Sequence, residues 1–122
     1  MSSFHPRKFL ELAKILLSSQ RNEEGARTAT GRAYYAAYLT GILKLQNSQA
    51  LRDAKSQSDS VHEQLKLAFA QSGHPEISDM LSDLFDRRVV ADYFPGETVD
   101  YSGARDSVDL GEQVTSLIES DP

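Results

Sequence analysis

Two arginines in this sequence stand among apolar residues, each with aromatic neighbours at helical spacing. Arg32 lies within Thr30-Gly31-Arg32-Ala33-Tyr34-Tyr35-Ala36-Ala37-Tyr38, and Arg88 lies within Leu84-Phe85-Asp86-Arg87-Arg88-Val89-Val90-Ala91-Asp92-Tyr93. A guanidinium presents five N–H donors in a planar fork that matches phosphate and carboxylate. Placed toward an interior it needs a partner, because an unpaired buried charge is costly. For Arg88 that partner is predicted to be Asp92, one helical turn on. Tyr35 lies one turn from Arg32, and its hydroxyl needs a partner if buried. Tyr34, Tyr35 and Tyr38 fit either base stacking or plain core packing. Two inward cations on adjacent helices attract a phosphate or an acidic side chain of a partner.

Other chemistries find little support. There are no cysteines, so disulfides, thiolate catalysis and cysteine-held metal are excluded. His5, His62 and His74 all fall at expected helix starts, and no pair of them has ligand spacing, so no metal is expected. No phosphate-cradling glycine loop and no serine-centred nucleophile motif is present, and no cofactor is implied.

The elements that must carry the arginines read as helices throughout. The first runs about Pro6 to Ser19, with Phe9, Leu12, Ala13, Leu16 and Leu17 on one face. The second starts at an Asn22 cap, with Glu23 and Glu24 at the positive end of the dipole, and runs to about Leu45. It is apolar nearly all round, which predicts burial in a bundle or sharing with a second subunit. Its line of small residues, Ala26, Ala33, Ala37 and Gly41, is a candidate contact for a structural homodimer. Gln46 to Asp59 is polar and without clear period, so it reads as a mobile loop, with the helix end extending at most through Leu51. Ser60-Val61-His62-Glu63 has capping-box spacing and opens a third helix to about Gln71. Gly73 ends it, and Pro75 starts a fourth over about Glu76 to Asp92. On that helix Ile77, Leu81, Leu84, Arg88 and Ala91 share one stripe at ~100° per residue. Phe94-Pro95-Gly96 breaks it, and Ser102 or Asp100 caps a fifth helix over about Gly103 to Glu119. The predicted fold is one all-α domain, an up-and-down bundle of four to five helices.

The chain of 122 residues is long enough for a real core. Its formal charge of −5 argues against nonspecific nucleic-acid binding by the whole surface. The charge is unevenly spread. Residues 1–52 hold eight Lys or Arg against three Asp or Glu, and residues 53–122 hold five against fifteen. The halves either complement each other or leave a basic strip open to an anionic partner. No apolar run has bilayer-spanning length and no signal-peptide core opens the chain, so a cytoplasmic protein without a membrane partner is expected.

Taken together, Gly31-Arg-Ala-Tyr-Tyr-Ala-Ala-Tyr38, His62 at a helix start, Arg88-Val-Val-Ala-Asp-Tyr93 and a Pro-Gly loop into a last helix resemble the HEPN superfamily, the higher eukaryotes and prokaryotes nucleotide-binding domain. The resemblance runs in order from about Pro6 to Glu119. It implies a helical bundle, commonly a homodimer, that binds nucleotide, RNA or a protein partner. It further implies a possible pairing with a nucleotidyltransferase-like protein in a toxin–antitoxin-type system. Many members resemble metal-independent ribonucleases with an Arg followed by a His on the last long helix, the His as acid–base and the Arg on the phosphate. Here Asp92 and Tyr93 stand where that His would fall, so the implied site of Arg32, Tyr35, His62, Arg88, Asp92 and Tyr93 binds without robust catalysis. The alternative is a ribonuclease built on Arg88 with His62 or Tyr93, which requires His62 to reach them. His62 otherwise reads as a partly exposed surface residue.

Overall fold

A computed structural model describes residues 2–120, and every regular element in that range is an α-helix. They are α1 (Arg7–Ser19), α2 (Glu23–Leu45), α3 (Gln49–Lys55), α4 (Val61–Gln71), α5 (Pro75–Tyr93) and α6 (Tyr101–Ser120). The fold is an all-α bundle. Among the described residues the helices number six, because the expected loop over Gln46 to Asp59 contains α3. Ser48 caps α3 by accepting from the Leu51 amide at 3.1 Å. Leu51 and Ala54 bury against Ala68 of α4. Two buried residues in a seven-residue helix leave too little period to see in the sequence. Asn47, with φ of 68°, makes the turn into α3 in the left-handed region that asparagine tolerates.

The longest helix, α2, is the axis of the molecule. It packs on α1, α4, α5 and α6, and eleven of its residues, from Gly25 to Gly41, are buried. Asn22 caps its start by accepting from the Gly25 amide at 2.8 Å. Thr30 and Thr40 are buried within it and spend their hydrogens on the carbonyls of Ala26 and Ala36. The small residues of α2 are consumed inside the protomer. Ala26, Ala29, Ala33 and Ala36 pack with Leu10 and Ala13 of α1 and Ala104 and Val108 of α6. Ala37 and Tyr34 pack with Leu65 and Phe69 of α4, Leu81 and Leu84 of α5, and Val114 and Ile118 of α6. The line Ala26, Ala33, Ala37 and Gly41 is therefore internal packing, which corrects its assignment as a contact between subunits.

One outward line on α2 is spaced by three and four, namely Thr28, Arg32, Tyr35, Leu39 and Leu43, all partly or fully exposed. Arg27 flanks it and closes the far end of α5. Its guanidinium donates to the carbonyls of Ala91 at 2.9 Å and Val90 at 3.2 Å, to those of Phe94 and Glu97, and to Glu23 on its own helix. The Ala91 carbonyl is one that the end of α5, followed by Pro95, leaves without an amide, whereas those of Val90 and Phe94 also accept from the amides of Phe94 and Glu97. On the opposite side Arg7 bridges α1 to Glu112 and Glu119 of α6. Asp100, rather than Ser102, caps α6 through the Gly103 amide at 2.8 Å.

The approach of α2 to α6 depends on Gly111. A Cβ there would lie 3.1 Å from both the Cβ and the carbonyl oxygen of Ala33, and 3.3 Å from Leu10. Gly111→Val should therefore destabilise the protein by about 1–3 kcal/mol, the cost of overpacking a close helix contact. Urea unfolding measures this, and a midpoint at or above the wild-type value would show that the two helices are not in this contact.

Candidate functional site

Arg88 lies on α5 where the apolar stripe meets α2. Its side chain is 17% exposed, and its Nε donates to Asp92 Oδ2 at 3.0 Å. The expected inward arginine and its i,i+4 partner are both present. Asp92 in turn lies against α2 at Gly31, where a Cβ would come within 3.7 Å of its Oδ1. The Arg88 guanidinium carbon lies 5.3 Å from the ring centre of Tyr35, 5.8 Å from that of Tyr34 and 5.5 Å from that of Tyr93. Burial works against its charge, but Tyr35, Asp92 and Tyr93 outweigh burial and hold it charged.

Arg32 is balanced differently. Among the described residues it has neither a carboxylate nor a hydrogen-bond partner, and its neighbours are ring faces. Its guanidinium carbon is 4.7 Å from the ring centre of Phe9 on α1 and 5.2 Å from that of Tyr35. Tyr35 therefore has two guanidinium groups near its ring, at 5.2 and 5.3 Å from its centre. Phe4 continues the line beyond Phe9, with ring centres 5.1 Å apart. The order across α1, α2 and α5 is Phe4, Phe9, Arg32, Tyr35, Arg88, Tyr93, so cations and rings interleave along one strip. Each cation–ring contact at such a partly exposed place contributes ~0.5–1 kcal/mol. Tyr93 is 64% exposed and Phe4 47%, so both ends of the strip open to solvent.

His62 is not on this strip. It is buried, which corrects its reading as a surface residue. Its Nδ1 lies 2.9 Å from Tyr34 Oη, and its ring stacks on Phe85 with centres 4.0 Å apart. Among the described residues neither Arg88 nor Tyr93 shares a hydrogen bond with it. Burial raises the Tyr34 phenol, so the phenol keeps its proton and needs an acceptor. Nδ1 is that acceptor, which places the imidazole hydrogen on Nε2. Burial, then Lys66, push the His62 pKa below 6.5, with Glu63 and Asp86 opposing and Arg88 adding to the fall. The histidine is a neutral acceptor in the core between α4, α2 and α5, and Tyr34 links it to Arg88.

The structure thus brings together Arg32, Tyr35, Arg88, Asp92 and Tyr93, and places His62 behind Tyr34. Phe9 and Phe4 belong to the same strip but carry no signal in the sequence, because their contact with Arg32 crosses between helices. Arg27 was legible only as a possible i,i+4 partner of Glu23, a contact that is present at 2.7 Å. Such a strip can hold an anion between guanidinium groups and a planar group against a ring. Comparison with protein-family models, with curated proteins and with solved structures finds no match to this chain.

The buried neutral histidine gives a signed pH dependence. Its folded pKa lies below the unfolded value, so the unfolded chain binds the extra proton between the two. Stability from this source is complete above about pH 6.5 and is lost as pH falls through that value toward the lowered folded pKa. Urea unfolding of wild type and His62→Gln from neutral pH down to the carboxylate range should show a fall in the first that is missing from the second. Parallel pH profiles in the two proteins would contradict the buried neutral state. Tyr34→Phe should cost about 1 kcal/mol by the same measurement.

Proposed function

We propose that this chain is a HEPN-like helical module that binds a nucleotide or RNA along the Arg32–Tyr35–Arg88–Tyr93 strip and does not cleave it. The observation that carries the reading is the interleaving of cations and rings, with Arg32 unneutralised by any acid among the described residues. Guanidinium groups meet phosphate, and flanking rings accept bases with little sequence preference. Among the described residues, the acid that pairs with the cations of the strip is Asp92, 3.0 Å from Arg88.

Absence of turnover follows from proton bookkeeping. General acid–base catalysis needs a group that exchanges a proton within reach of the reacting oxygen. The Nδ1 of His62 is occupied by Tyr34, and the ring is buried. Asp92 is engaged by Arg88 at 3.0 Å, and a phenol is rarely a base near neutral pH. Charge stabilisation without a proton carrier favours binding over reaction. A nucleotidyltransferase-like protein, the partner the sequence resemblance implies, would compete for the strip if it presented acidic groups.

Fluorescence anisotropy with a short labelled single-stranded RNA tests the reading. Arg32→Ala and Arg88→Met should each weaken binding about fivefold, and the double variant more, with a shallower dependence on salt. Arg88→Met retains much of the packing, so a folded variant is expected. Undiminished affinity in the double variant would remove the strip from consideration. RNA incubated with wild type in chelator should stay intact. Cleavage lost in both Arg88→Ala and His62→Ala would overturn the binding-only reading in favour of the ribonuclease.

A further inference from the structure

A second concavity, of about 310 Å³, lies between α5, the 94–100 connection and the start of α6, with Thr30 of α2 among its lining residues. It is separate from the strip. At ~100° per residue, Asp86 and Val90 sit on the side of α5 turned away from Arg88. Val90 and Val99 give it apolar walls.

Its polar groups are mostly acceptors, with the Arg87 guanidinium and the Thr98 hydroxyl as the donors among them. Thr30 and Ser107 are each 2% exposed. Thr30 Oγ1 donates to the Ala26 carbonyl at 2.9 Å, and Ser107 Oγ to the Gly103 carbonyl at 3.0 Å, so each hydroxyl has only lone pairs left to offer. Arg87 is paired with Asp83 at 2.8 Å and donates to Ser107 at 3.2 Å, so its charge is shared with Asp83 although further N–H groups remain. Asp100 accepts from the Gly103 amide through Oδ1, leaving its second oxygen open. Asp86 has neither hydrogen bond nor ion pair among the described residues, and it is one of the residues that line the cavity.

From this inventory we infer that the cavity binds a small primary amine, an ammonium group on a compact apolar body. The ammonium supplies three donors to a site with open acceptors and meets the charge of Asp86. The body covers the two valines. An anion would face two carboxylates against one guanidinium already paired with Asp83, and a purely apolar molecule would strip water from the carboxylates without replacing its hydrogen bonds.

Amide resonances followed by two-dimensional NMR test this with phenethylamine as the probe. Phenethylamine should shift the amides of Val99, Gly103 and Ser107 saturably. The uncharged isostere 2-phenylethanol should bind about tenfold more weakly, the difference between a charge-assisted and a neutral hydrogen bond. Phenylacetate should not compete. Asp86→Asn, at an exposed position, should keep the wild-type melting temperature and lose about tenfold in phenethylamine affinity. Equal binding of 2-phenylethanol, retained affinity in Asp86→Asn, shifts confined to other residues, or no saturable shift would each overturn the inference.

Discussion

Everything in this bundle depends on the near-complete burial of α2. A helix enclosed on four sides must present small residues wherever a neighbour comes close. Ala33 against Gly111, and Gly41 against Leu65 and Phe69, are such places. The same requirement leaves Arg32 and Tyr35 on the line of α2 that no neighbouring helix covers. The strip is thus a by-product of the packing, built on a rigid element rather than on a loop.

Arg88 joins stability to this surface. It stands at the edge of the α2–α5 core, lies near the rings of Tyr34, Tyr35 and Tyr93, and is held by Asp92. Tyr34 then couples it to His62 through a buried hydrogen bond. The chain from solvent to core is ring, cation, phenol, imidazole. A neutral imidazole suits that order, because a second cation behind Tyr34 would face both Lys66 and Arg88. The histidine is best understood as the acceptor that lets a phenol be buried next to an arginine.

The long helices were legible because period, caps and breakers agree. Asn22, Ser60, Pro75 and the Phe94-Pro95-Gly96 break mark real boundaries. Arg88 and Asp92 were legible because both lie on one helix, where spacing determines contact. Helix α3 was not, since only Leu51 and Ala54 turn inward. His62 was misjudged because a first-turn position gives no sign of what the preceding connection folds against. The partners of Arg32 divide along the same line. Tyr35 could be read from i,i+3 spacing, whereas Phe9 depends on how α1 crosses α2, which no local pattern encodes. The short-range half of the candidate site is written in the sequence, and the half that crosses helices is not.

RNA binding along the cation–ring strip is measured most directly by photocrosslinking, with 4-thiouridine placed in a short single strand and the attached peptides mapped by mass spectrometry. Crosslinks at Tyr35 and Tyr93, with Phe9 or Phe4 beyond Arg32, are the predicted result. Crosslinks confined to peptides away from the strip, such as the outer face of α6, or none under conditions where the RNA binds, would contradict it.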